Sequence, residues 1–470
     1  MDNSHHLDQR HDCDRSPGRH RGPITRTAIA LIAGLCSAFP VHATSLDSEL
    51  PDDLTDMSLE ALMDIEVTSV SRKPEKQSEA AAAVFVITND DLRRWGVTNI
   101  PEALRRVPGI EVARIDANKW AITSRGFNSR FANKLLVLID GRSVYTPLFA
   151  GVYWDSQDVV LEDVDRIEVI RGPGGTLWGA NAVNGVINII TRSAAETRGT
   201  LVSLTAGNEV KGVGTVRHGG QLKNGMDYRV YAKFNSYDSG YNPDGAHDDW
   251  RTGQLGFRTD WVKTERDTVT LQGDYYRGVA GELVNIPTGP AGPPPTTVIP
   301  TVSDTHTDAG NLLFRWSHIL ENSSNFALQL YYDHVGLDGA VLFEDRDTFD
   351  IDFQHRFNWR GKHDIVWGLD YRHTRDNTDN NPTFSLDPSA RSVNLYSAFI
   401  QDDYSLREDL RLTAGIKLEH NDFSGFEYQP NVRLAWAVDP SQTLWGSVSR
   451  AVRTPSRGEH DVQLRLVPPA

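Results

Sequence analysis

Four groups of residues in this chain have types and spacings that could do chemistry. Arg171 to Gly179 is rich enough in glycine to cradle a phosphate on backbone amides. It lacks the closing Lys-Ser/Thr pair that holds nucleotide and magnesium, and a strand-like Val186–Ile190 follows where a helix is required, so the nucleotide reading fails. Two acidic clusters, Asp244 to Asp249 and Asp376 to Asn381, offer oxygen ligands for calcium, yet neither has the spacing of a calcium loop, and solvated outer loops account for both. His5, His6, His11 and His20 make a His-rich tract with metal-binding character, but they belong to a leader, and a long leader or a later start codon is the plainer account. Cys13 and Cys36 also fall in that leader, so the remainder carries no thiol nucleophile, disulfide or Cys-based zinc site. Leu35 before Cys36 is larger than lipid attachment tolerates. The expectation is a protein with no catalytic constellation, metal or cofactor.

The elements that must position the rest begin after the leader. Arg26 closes a basic stretch, Ala28–Phe39 is a short apolar core and Val41-His42-Ala43 fits a small-residue cleavage rule, so residues 1–43 read as a signal peptide with a long extension. A length of 470 residues predicts two domains, and a net charge of −15 argues against a nucleic-acid partner. After the leader no apolar run approaches the roughly 20 residues of a membrane helix.

The second half instead alternates with a period of two. Tyr228, Val230, Ala232 and Phe234 oppose Arg229, Tyr231 and Lys233; Phe349, Ile351 and Phe353 oppose Asp350, Asp352 and Gln354; Leu410 to Leu418 repeats the pattern against Arg411, Thr413 and Lys417. A soluble sandwich with one wet face would show the same rhythm. Long strands, a charged polar face suited to a watery lumen, and Trp250, Trp261, Trp316, Trp367, Trp436 and Trp445 near strand ends favour a membrane barrel, the one sheet that pairs all its backbone groups in lipid. About thirteen strands are expected between Gly199 and Arg450, with Ala280 to Gly310 as a long mobile outer loop. An odd count leaves an edge open, so the expectation is a barrel continuing beyond residue 470.

Between leader and barrel lies a small α+β domain: Asn89 caps a helix to Trp95, Pro101 starts a second through Arg106, and Lys134–Tyr145 is a hairpin turning at Asp140-Gly141. Here the chain resembles the TonB-dependent outer-membrane receptors. The resemblance rests on Pro101 to Ile110, Ser124-Arg125-Gly126-Phe127, Leu138 to Arg142, and above all Ile167-Glu168-Val169-Ile170-Arg171-Gly172-Pro173 through Trp178-Gly179 to Gly185 and Thr191. Trp178 and Asn184 depart from the usual Tyr and Gly. The similarity runs from about Leu59 to Ser456, with Ser449 to Pro455 resembling a late barrel strand.

The resemblance implies a mainly β protein in the outer membrane of a Gram-negative bacterium: linker 44–71, plug 72–196 and partial barrel 197–470. It implies a TonB box at Ile65-Glu66-Val67-Thr68-Ser69-Val70, which the position favours although Glu66 departs from the hydrophobic pattern; the alternative is a first plug strand following a short helix begun at Ser58. The signature residues Arg125, Gly126, Phe127, Arg171, Gly172, Pro173, Gly179 and Gly185 would hold the plug in the pore, the arginines pairing with Glu168 or lumen acids. Asn118, Lys119, Trp120, Tyr145, Phe149, Tyr153 and Trp154 fall in apical segments, where each either touches cargo or packs the wall. The implied partners are TonB with its proton-driven complex, outer-membrane lipid and a small ligand; ferric siderophore leads because it is the family's commonest cargo, ahead of cobalamin, haem, metal or glycan. Family barrels have 22 strands and end on an aromatic, so a chain ending Pro468-Pro469-Ala470 is expected not to import unaided. A passive porin or adhesin, needing no plug, and a secreted β-sandwich enzyme remain the rivals.

Overall fold

The computed structural model describes residues 65–464, apart from 242–244, 246, 289–296, 322, 380–383 and 440–441. The leader, the linker before Ile65, the helix expected from Ser58 and the end of the chain lie outside the described residues.

Residues 65–191 form the first domain. Its strands are β1 (Glu66–Val67), β2 (Glu75–Lys76), β3 (Val84–Thr88), β4 (Ile110–Arg114), β5 (Trp120–Ser124), β6 (Leu135–Ile139), β7 (Arg142–Ser143), β8 (Val164–Arg171) and β9 (Gly185–Thr191). Five of them make one sheet in the order β3-β8-β9-β6-β7, with β6 parallel to β9; β1–β2 and β4–β5 are separate hairpin pairs. β6 and most of β9 are apolar without alternation because both faces of this sheet are covered. Leu104, Val137, Ile167, Val169 and Ile187 pack on one side, Val67, Val70, Leu136, Ile170 and Val186 on the other. The expected hairpin turns at Asp140-Gly141, both in the left-handed region at φ 50° and 81°.

Both helices differ slightly from expectation. Helix α1 (Asn89–Trp95) is capped by Thr88, whose hydroxyl accepts from the Asp91 amide while the Asp91 carboxylate accepts from the Thr88 amide. Asn89 instead donates to the carbonyls of Leu161, Glu162 and Val164, tying the helix to the sheet. Helix α2 (Ile100–Leu104) is capped by Asn99, two residues ahead of Pro101, and after it the Arg105 guanidinium donates to the carbonyl of Val112.

The second domain is a thirteen-stranded antiparallel sheet. It runs β10 (Gly199–Thr205), β11 (Val210–Gln221), β12 (Asp227–Tyr237), β13 (Trp250–Val262), β14 (Asp267–Thr288), β15 (Thr297–Ile319), β16 (Asn325–Asp338), β17 (Phe343–Trp359) and β18 (His363–Asp379). After β19 (Phe384–Leu386), which stands apart, it continues through β20 (Ala390–Arg407), β21 (Leu410–Asn421), β22 (Gly425–Asp439) and β23 (Gln442–Ser449). Each wall strand pairs with the next wall strand along the chain, β18 with β20 across β19, and among the described residues β10 and β23 are not joined to each other. Among the described residues no helix is long and apolar enough to cross a membrane. The apolar alternates Val230, Phe234, Leu369, Ile400, Leu418 and Val432 stand exposed on the outer face, while their charged neighbours Lys233, Asp350, Lys417 and Glu419 are buried on the inner one. That inversion suits a wall with lipid outside and a plug inside.

Three expectations about the wall need correction. Ala280–Gly310 is no free loop: β14 and β15 stay paired out to Thr288 and Thr297, since a ladder needs only backbone partners. Trp250 and Trp445 belong to the inner face rather than an outer girdle; Trp250 stacks on Tyr237 at 4.3 Å. Ser449–Pro455 is not a wall strand beyond Ser449, because Val452 and Thr454 bond to Asn181 of the first domain and draw the chain inward. It continues as helix α3 (Arg457–Asp461) and β24 (Val462–Leu464), which pairs with β19.

Candidate functional site

The segment expected as a TonB box is docked. β1 pairs with β2 through two residue pairs only, and Val67, Ser69 and Val70 are buried against the sheet. Glu168, fully buried in the middle of β8, makes the dock: its carboxylate accepts from the Thr68 and Ser69 amides at 3.0 and 2.7 Å, from the Thr68 hydroxyl, and from Arg166 at 2.8 Å. Trp178 donates to the Ser69 carbonyl at 2.8 Å and Asn188 to the Ser69 hydroxyl at 3.0 Å. Ile65 lies at the edge of this cluster and Glu66 points to solvent. Just beyond, Arg72 and Lys73 reach the wall at Asp352 and Asp364.

The glycine turns bring backbone close to backbone. A Cβ on Gly185 would lie 2.4 Å from the Ile170 carbonyl, and Gly172 and Gly179 have φ of 136° and 88°. Pro173 follows Gly172 in the turn that leads to a short helix at Gly175–Trp178. Arg171 donates to the Pro108 carbonyl and Arg125, at φ 65°, lies beside Gly172; the expected partner Glu168 is already occupied by Arg166 and the docked segment. Gly126 and Phe127 continue the left-handed turn, with Phe127 almost wholly exposed under the Lys134 ammonium. Gly179 sits against Glu419 of the wall.

The apical residues divide in two. Asn118 is fully buried and donates to the carbonyls of Asp248 and Gly281; Lys119 pairs with Asp116; Trp120 packs edge-on against Trp250 and donates to Glu102; Trp154 lies in the main core. Phe149 packs edge-on against both Phe131 and Tyr153, in a cluster with Leu337 of β16 and Leu386 of β19. Tyr145 faces a cavity. Burial holds the Tyr145 and Tyr153 hydroxyls well above the ordinary phenol range, so both remain neutral. The acidic clusters are structural where they are described: Asp248 accepts from Ala117 and Gly240 amides, and Asp376 pairs with the fully buried Arg457.

Between plug and wall lies a cavity of about 510 Å³. Its lining includes Thr68, Arg72 and Tyr145 of the first domain, Ser456, and the wall residues Asp333, Asp350, Arg372, Lys417 and Glu419. Arg142 crosses to Asp333 at 2.5 Å and Ala180 donates to Glu419 at 3.1 Å, so charged and polar straps join the domain to the strands alongside apolar contacts such as Leu177 against Val366 and Phe399.

Residues 76–186 match the TonB-dependent Receptor Plug Domain, and residues 195–460 match the TonB dependent receptor-like β-barrel. The chain belongs to the TonB-dependent receptor family. This is a family of outer-membrane β-barrel receptors, not of enzymes. The chain is 34% identical over 150 residues to a vitamin B12 transporter of Vibrio vulnificus, covering 32% of this chain and 24% of that protein. It is 25% identical over 424 residues to an iron-regulated outer membrane virulence protein of Vibrio cholerae, covering 83% and 59%. Solved structures with the same fold include the siderophore receptor PirA and the ferripyoverdine receptor, both of Pseudomonas aeruginosa. They superpose with TM-scores of 0.61 and 0.63 at 19% and 16% identity, covering 79% and 82% of this chain and 62% and 59% of theirs. The chain therefore spans less than two thirds of the length of these relatives.

Within a TonB-dependent receptor, Glu168, Asn188 and Arg72 are the residues whose importance the sequence pattern left unspoken. The signal was present: Glu168 and Asn188 are single polar residues inside the apolar runs Ile167–Ile170 and Val186–Ile190, which calls for a buried partner. Their partner, residues 68–69, is about a hundred positions away in sequence.

Proposed function

We propose that this receptor takes part in TonB-dependent import of a ferric siderophore across the outer membrane, with residues 65–70 as the strip gripped by TonB. The observation that carries this is the way those residues are held. A two-pair ladder and one carboxylate clip can yield bond by bond to a pull from the periplasmic side, and an extended strip can then add to the edge of a partner's sheet. Energy would come from the proton-driven complex, because the outer membrane holds no nucleotide supply. The siderophore is favoured by the names of relatives matched over most of this chain, the virulence protein of Vibrio cholerae and PirA. Cobalamin is the second reading, favoured by the higher identity over the plug region to the vitamin B12 transporter. Haem, metal and glycan cargo have no such support.

In this reading the domains divide as 72–196 and 197–470 after a linker 44–71, Phe149 and Tyr153 stand nearest the cargo, and Asn118, Lys119, Trp120 and Trp154 brace the apex. No catalysis is assigned. A passive porin is disfavoured because the plug is strapped to thirteen strands. The test is uptake of radiolabelled ferric siderophore by cells carrying the receptor, with and without a protonophore. Uptake that persists when the proton gradient is abolished would refute energised import; uptake of labelled cobalamin instead would move the cargo to the second reading.

A further inference from the structure

We propose that His334 of β16 and Asp345 and Asp347 of β17 form a site for a divalent transition-metal ion, zinc-like in its chemistry, on the outer face of the wall. The site stands apart from the import reading and from the plug. The ladder brings the three residues together. His334 lies directly opposite Asp347, and Asp345, two positions along the same face, lies opposite Gly336. They continue the outward faces of Tyr332 and Phe349, both exposed. Their ligand atoms fall within 4.8 Å of one another. A tetrahedral metal about 2.1 Å from each would hold them about 3.4 Å apart, a closure that partly exposed side chains reach by rotation. Sequence spacing could not show the set, because its members stand on opposite arms of a hairpin.

The details fit a ligand set better than a closed ion pair. The imidazole Nδ1 lies 3.0 Å from Asp347 Oδ1, which also accepts from the Tyr332 hydroxyl, while Oδ2 takes no hydrogen bond among the described residues. A histidine held by a carboxylate through one nitrogen presents the other to a metal. Here Nε2 leans over Gly336, 3.8 Å from the place where a Cβ would stand. Gly336 pairs with Asp308 on one side and Asp345 on the other, so its missing side chain leaves an open place among the donors. Asp308 is occupied by Arg277 and Tyr275, and Arg375, opposite Asp347 on β18, makes no ion pair with it among the described residues. Asp345 and Asp347 therefore leave a local excess of negative charge that one doubly charged cation offsets. Mixed imidazole and carboxylate donors suit zinc or its neighbours; calcium and magnesium take oxygen alone. The cation would staple β16 to β17 beside Leu337, which packs inward with Leu148 and Tyr153 of the plug.

Zinc titration of the full chain in detergent, stripped of metal beforehand and read with a zinc-responsive dye, tests this. Each variant is compared with the native chain, so zinc held by the leader histidines cancels. His334→Gln and Asp345→Asn should each weaken binding of one zinc per chain about tenfold or more. Gly336→Val keeps all three ligands and suits a strand, but fills the open place, and should weaken binding likewise. Zinc should also slow hydrogen exchange in a peptide spanning 330–347 of the native chain and not of His334→Gln. Native zinc affinity in any of the three variants overturns the proposal. Faster exchange of the plug's β9 peptide in the variants also overturns it, because the lost zinc would then report a loosened fold and not a lost ligand.

Discussion

Replacing Glu168 by glutamine should release the docked segment while leaving the plug sheet intact. In the native protein one fully buried carboxylate receives two amides, a hydroxyl and an arginine, all at 2.7–3.1 Å. Glutamine keeps the volume and one oxygen but turns an NH₂ toward groups that are themselves donors. At least one buried amide loses its acceptor, costing about 1–3 kcal/mol, and the remaining bonds lose their charge-assisted strength. A total near 3 kcal/mol corresponds to a roughly 150-fold rise in the undocked population. Hydrogen exchange read by mass spectrometry on a peptide spanning 65–71 should show a rate increase of that order, with the peptide of β9 unchanged. If Thr68 and Ser69 exchange at the native rate in the variant, the clip does not hold the segment and the mechanism built on it fails.

Three further outcomes follow from the packing. Gly185→Ala should lower the thermal midpoint clearly, by about 2–3 kcal/mol of stability, because the new methyl meets a main-chain carbonyl; Gly175→Ala should cost less, since its obstacle is the movable end of Gln429. Arg457→Met strands Asp376 and Asp461 without their cation and should cost about 3–5 kcal/mol, read as new protease cleavage within 450–464. Burial raises the Glu75 carboxyl above its ordinary 4.5 despite the Arg411 charge beside it. The folded form then binds this proton more tightly than the unfolded chain, so the group's contribution is greatest below pH 4.5 and is lost as pH rises through the raised value. Glu75→Gln should flatten that part of the stability–pH curve, measured by denaturant titration across pH 4 to 7; an unaltered slope would show that Glu75 does not titrate in the fold.

The sequence by itself determined the wall strands and their faces. A period of two is a local property, and once lipid takes one side, every residue from Tyr228 to Phe234 has its side assigned. It also determined the glycine turns, because a positive φ at Gly172 or Gly179 is a demand that only a few residue types meet. The family was legible for the same reason, in short contiguous motifs. Tertiary structure alone decided which charged inner residue meets which. Asp352 could have faced water or any cation, and it meets Arg72 only because β17 passes that side of the plug. It also tied Asn89 to the carbonyls of Leu161, Glu162 and Val164 and drew residues 450–456 toward Asn181 of the plug. Both outcomes depend on a partner far away in sequence, and the free energy of a long-range contact leaves no local period to read; the Thr88 cap, by contrast, was a local Thr88–Asp91 signal.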